Sequence, residues 1–130
     1  MHTTQVQQLE DIELPEVQGS QPIDPKIQNL VRVLYKLHAV SERSQSCEGH
    51  IDPKKLPFPR VTVGVPYDSK VYRKILAMLI DYNKRSDVQW ALEGICIKPN
   101  TRARNQLELE ELQESANRLA HFIFENYAQI

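Results

Sequence analysis

The chain reads as an all-α protein: a small helical bundle of three long helices plus a short one, with a long irregular loop and an N-terminal tail of disordered type. Three observations carry that expectation. Apolar residues recur at helical spacing in three stretches. The one alternating run, Val61, Val63 and Val65, has no second run to pair with. With 41% apolar residues in 130 positions, and no apolar run longer than the six of 75–80, the chain suits one domain of ordinary size.

Residues 1–24 read as an acidic tail or linker, polar, free of helical periodicity and short of large apolar groups to offset the entropy of ordering. The folded part, 25–130, begins at Asp24-Pro25, an N-cap residue before a proline at the first helical position. From 25 to about 42, Ile27, Leu30, Val31, Val33, Leu34, Tyr35 and Leu37 cover roughly 200° of a helical wheel. An arc that wide packs against two neighbours, as in a central helix. Residues 43–67 read as a loop punctuated by Pro53, Pro57, Pro59 and Pro66. So long a loop in a compact domain points to a binding role.

Asp68 serves as an N-cap for a second helix over 69–85, with Val71, Tyr72, Ile75, Leu76, Met78, Leu79 and Tyr82 on its apolar side. Residues 86–93 read as a short helix stopped near Gly94, while 95–97 is too short to assign. The third long helix runs over 104–127, with a stripe of Leu109, Leu112, Ala116, Leu119, Ala120, Ile123, Phe124 and Tyr127. Glu108, Glu110, Glu111 and Glu114 crowd its start, where the helix dipole favours negative charge. The same glutamates offer a surface for docking a protein.

The net charge of −1 conceals a segregation. Residues 1–25 carry −5, residues 26–104 carry +8, and residues 105–130 carry −4. Such segregation implies one strongly cationic surface, and clustered Lys and Arg bind phosphates. The candidate nucleic-acid-binding residues are Lys54, Lys55 and Arg60 in the loop, Lys70, Arg73, Lys74, Lys84 and Arg85 along one side of the second helix, and Lys98, Arg102 and Arg104 before the third. Tyr67, Tyr72 and Tyr82 lie among them and are candidates either for stacking on bases or for the core.

Other chemistry is thinly represented. Cys47-Glu48-Gly49-His50 has the spacing of half a zinc site, with His38 and Cys96 as conceivable completions, but there is no second compact pair. His38 falls on the apolar arc, where a core histidine is the commoner outcome. Cys47 near His50 lacks any oxyanion-hole turn for nucleophilic catalysis, and Asp81 with Asp87 lacks an evident pocket. No metal site, cofactor or enzymatic activity is therefore expected. No segment matches a transmembrane helix or signal peptide, and two cysteines make no disulfide framework, so the expected location is the cytoplasm.

A small, all-helical, cytoplasmic chain with a cationic face and no active site resembles the small (belly) subunit of class 1 CRISPR effector complexes, most of all that of type I-D. There the small subunit corresponds to the C-terminal helical region of the large subunit and can arise from an internal start. A methionine followed by an acidic, proline-bearing linker and then helices suits that origin. The resemblance covers residues 25–130, is architectural, and transfers no residue by motif. It implies a non-catalytic subunit of a ribonucleoprotein for antiviral defence, contacting DNA or RNA backbone and bridging neighbouring subunits or further copies of itself. The alternatives are a helix-turn-helix regulator, built on 69–85 and 87–93, and a protein scaffold without nucleic acid.

Overall fold

The computed structural model describes residues 8–14, 22–41 and 44–128. Helix α1 spans Gln28–Lys36, preceded by a 3-10 turn at Pro25–Ile27; strands β1 and β2 are Ser46–Cys47 and Arg60–Thr62. Helix α2 spans Lys70–Asn83, strands β3 and β4 are Trp90–Glu93 and Cys96–Pro99, and helix α3 spans Gln106–Ile123. A wide π turn, Phe124–Ala128, follows α3. The strands form one antiparallel sheet in the order β1-β2-β4-β3. The all-α expectation, and with it the helical bundle, is therefore wrong: this is a mixed α/β chain of three helices and a four-stranded sheet.

The sheet replaces two assignments. The stretch expected as a short helix over 86–93 ends in β3, and the unassigned 95–97 lies in β4. Glu93 pairs with Cys96, leaving Gly94 and Ile95 as a two-residue hairpin loop. Gly94 has φ +61°, the requirement at the first central position of a type II′ turn, which glycine meets without steric cost. The loop expected over 43–67 supplies β1 and β2, so the valine run finds partners that were not visible as alternating runs.

Two of the expected helices stop or start short. α1 ends at Lys36 because His38 turns left-handed, φ 60°. Ala39 N–H then bonds to Leu34 C=O at 2.8 Å and His38 N–H to Tyr35 C=O at 3.0 Å, the paired bonds of a Schellman cap. His38 is exposed, not a core histidine. Ser69, not Asp68, caps α2, its hydroxyl accepting from Tyr72 N–H at 3.2 Å. Asn105 caps α3 through Glu108 N–H at 2.9 Å.

All three helices contribute to one apolar cluster with the sheet, while Leu109 and Leu112 of α3 pack in a second, smaller cluster with Phe58. Leu30 and Leu34 of α1, Ile75 and Met78 of α2, and Ala116 and Leu119 of α3 share one cluster with Val61, Trp90 and Ile97 of the strands. Trp90 Nε1–H donates to the Ser115 hydroxyl at 3.0 Å, satisfying the indole inside that core. Where α2 meets β3, the Asn83 side chain accepts from Trp90 N–H at 2.9 Å and donates to Trp90 C=O at 2.8 Å. Among the described residues, the N-terminal segment is not all tail: Leu9, at 1% exposure, with Ile12 and Ile23, belongs to the main core.

This last point is open to measurement. Leu9→Ala should cost about 2–4 kcal/mol in denaturant unfolding, the range for truncating a buried leucine. A solvated tail would leave the midpoint unchanged.

Candidate nucleic-acid interface

The sheet has a second face. Val61 and Ile97 point into the core, so by strand alternation Arg60 and Lys98 point to the other side. Continuing the register one pair beyond Val61 and Ile97 sets Arg60 opposite Lys98. Val63 N–H bonds to Ile95 C=O at 2.7 Å, which marks alternate pairs of this ladder as hydrogen-bonded and makes Arg60–Lys98 a non-hydrogen-bonded pair. Side chains approach most closely at such pairs, and like charges there oppose pairing. One step further, Pro59 would face Pro99. Neither has an N–H, so the ladder ends there and the chain turns away.

Phe58 sits at that turn, 4% exposed, packed on Ala103, Leu109 and Leu112. Three cations gather on its ring: Arg60 at 6.0 Å from the centroid, Lys98 at 5.6 Å and Arg102 at 5.6 Å. The electron-rich ring face partly compensates their mutual repulsion. Lys98 also meets Glu93 at 3.2 Å. Among the described residues neither Arg60 nor Arg102 has a carboxylate partner within ion-pair distance, and the buried Nη1 of Arg60 has no hydrogen-bond acceptor. A groove of about 290 Å³ runs beside the ring, lined by Glu93, Lys98, Asn100, Thr101 and Arg102. It offers ammonium, guanidinium, hydroxyl and amide donors to an anion, with Glu93 as the one opposing charge.

The other predicted cations are distributed differently. Lys70, Arg73, Lys74 and Lys84 are exposed on the outer side of α2, away from its buried stripe, and form a separate patch. Within it Arg73 approaches Asp68 at 3.8 Å and Lys74 Nζ reaches Tyr127 C=O at 3.5 Å. Arg85 lies over the Phe122 ring at 5.7 Å. Lys54 and Lys55 are exposed in the loop before Phe58. Arg104 is held by Glu108 at 2.8 Å, which raises the guanidinium's pKa and lowers that of the carboxyl through their hydrogen bonds. Its charge is thereby offset. The eleven residues thus form no single surface: three converge on Phe58, four line α2, and four stand apart.

The tyrosines divide as well. Tyr72 and Tyr82 are core residues, 5% and 6% exposed, whereas Tyr67 is 78% exposed and rests on the Tyr72 ring. Sequence reasoning passed over Phe58, the ring that gathers the cations. Its signal was a large aromatic flanked by prolines within a basic loop. The acidic start of α3 is partly neutralised by the Arg104–Glu108 and Arg118–Glu114 pairs.

No family model, curated protein or solved structure matches this chain. Among the described residues, no helix is long and apolar enough to cross a membrane.

Cys96 reports on this face. Burial pushes its thiol above the ordinary value, while Arg60 and Lys98 pull it part of the way back. Because the thiolate is the reactive form, a raised pKa moves the alkylation profile to higher pH. In a Cys47→Ser background, the folded chain should alkylate more slowly at pH 8 than the denatured chain. Lys98→Gln should shift the profile higher still, whereas a shift to lower pH would contradict this electrostatic picture.

Proposed function

We propose that the protein is a non-catalytic nucleic-acid-binding module that grips backbone phosphates at the Arg60–Lys98–Arg102 cluster. The observation that carries the reading is the convergence of three cations on one ring, two of them like charges placed side by side across paired strands. A sheet gains nothing from that pairing by itself, and a polyanion lying across it would relieve the repulsion and release counterions. Recognition in this reading is of backbone charge, since the three converging side chains are cations held on strands and a loop. The α2 patch extends the footprint through Lys70, Arg73 and Lys74.

The reading includes a place in a larger cytoplasmic ribonucleoprotein. Leu76 and Ile80, 37% and 62% exposed on α2, give a neighbouring subunit apolar surface beside the cations. The specific likeness to CRISPR small subunits rested on an all-helical architecture, and a sheet-bearing chain does not supply that footing. The helix-turn-helix alternative needs a second helix directly after α2, where this chain has β3.

Fluorescence anisotropy with single-stranded DNA, single-stranded RNA and duplex DNA, across a salt series, tests the proposal. Lys98→Glu with Arg102→Glu should weaken binding by about tenfold or more and flatten the slope of log K against log salt by about 2. The triple reversal of Lys70, Arg73 and Lys74 to Glu should weaken it further, and Arg118→Glu should change it least. Affinity and slope left unchanged by the first pair would eliminate the cluster as the interface. Retention of protein partners alone after nuclease treatment would favour the scaffold reading.

A further inference from the structure

Beside the cation cluster, at the strand that pairs with Arg60, lies a compact set of unlike donors that the reading above does not use. Cys47 ends β1, His50 follows three residues later, and Asp24 comes from the segment before α1. One donor atom from each, thiol sulfur, imidazole nitrogen and carboxylate oxygen, lies within 4.8 Å of the other two. His50 Nε2 stands 3.9 Å from Asp24 Oδ2. We propose that Asp24, Cys47 and His50 form a zinc site with three protein ligands and an open fourth position.

The distances suit the ion. Zinc bonds of about 2.0–2.3 Å in a tetrahedron place neighbouring donor atoms roughly 3.3–3.8 Å apart. The donors, at most 4.8 Å apart, therefore need to close by about 1.5 Å at the widest. The donor set selects the metal, since thiolate with imidazole and one carboxylate suits zinc and fits poorly with calcium or magnesium, which take oxygen ligands. Its compactness also separates the cluster from a nucleophile–histidine–acid relay. In such a relay the imidazole stands between its partners and uses both ring nitrogens, holding sulfur and carboxylate well apart. Here sulfur and carboxylate lie close to each other and to the same nitrogen.

The surrounding structure holds these donors in place. Gly49 N–H donates to Cys47 Sγ at 3.4 Å, and Gly49 adopts φ +91°. A Cβ there would meet the Phe58 backbone at 2.7 Å, so the turn returning His50 toward Cys47 requires glycine. His50 N–H is fixed by Leu56 C=O at 3.1 Å. Asp24 occupies the cap position of the 3-10 turn yet caps nothing there. Its carboxylate accepts instead from Glu48 N–H at 3.1 Å, and the Glu48 carboxylate accepts in return from Lys26 N–H at 3.1 Å. Gln113 of α3 donates to Glu48 C=O at 3.1 Å, tying this clasp to the domain. Such outer contacts orient metal ligands. All three donor residues are half-buried, which leaves an ion a route in.

Cys96, conceivable from sequence as a completing ligand, is excluded by topology. β1 and β4 are two strands apart, about 9–10 Å, and Cys96 lies two residues out of line with Cys47. His38 is not in the cluster either.

The test uses the full chain stripped with a chelator and supplied with metal alone, so its outcome is independent of nucleic-acid binding. Wild type should retain one zinc per chain after dialysis, and excess zinc should raise Tm by about 5 °C or more. Cobalt(II) in place of zinc should give a sulfur-to-cobalt charge-transfer band and the absorption of a tetrahedral ion. Cys47→Ser and His50→Ala should lose the band and the Tm rise, Asp24→Asn should weaken binding roughly tenfold, and Cys96→Ser should behave as wild type. Should a ligand variant fail to fold, the wild-type cobalt spectrum decides alone. Wild type with no metal retained and no Tm rise, or cobalt bound without the sulfur band, overturns the site, as does zinc retention surviving Cys47→Ser.

Discussion

The pairing of Arg60–Thr62 with Cys96–Pro99 joins segments more than thirty residues apart, and most of the molecule follows from it. It brings Val61 and Ile97 together on one side, where three helices close over them. On the other side it forces Arg60 against Lys98. The core thus stabilises an arrangement that electrostatics opposes. The ring of Phe58 and the carboxylate of Glu93 offset only part of that opposition.

Two ties make this sheet part of a single body. Ser115 of α3 receives the indole of Trp90 inside the core, and Tyr82 of α2 donates to Ser115 C=O at 3.4 Å, so one residue links α2, α3 and β3. At the other end, Glu48 N–H donates to the Asp24 carboxylate and Lys26 N–H to the Glu48 carboxylate, joining the segment before α1 to the end of β1. The N-terminal segment adds Leu9, Ile12 and Ile23 to the cluster, which shows that a polar, acidic stretch can contribute through a few well-spaced apolar residues.

What the sequence made legible was the helices. α2 has seven apolar residues on one side, enough for a 3.6-residue period to stand out even though its cap is Ser69 and not Asp68, and α3 carries a comparable stripe. The sheet was hidden because its strands are two to four residues long, too short for a period of two to be told from chance. A helical tendency was read into 86–93, yet Trp-Ala-Leu-Glu before Gly94-Ile95 and Cys-Ile-Lys-Pro after it is a hairpin signature once the glycine is taken as the turn. The site was half legible. Charge segregation pointed to residues 26–104, but which cations meet depends on register, and register depends on a pairing that no local pattern announced. The half zinc motif at Cys47 and His50 was visible, and its third donor was not, because Asp24 reads locally as a helix cap.

The amide of Asn83 has a consequence for assembly. By taking both backbone groups of Trp90, it does for the outermost strand what a fifth strand would do, and it ends the ladder with a side chain at that residue. The opposite border is β1, only two residues long. Identical chains therefore find little exposed backbone at either border through which to zip into a continuous ribbon.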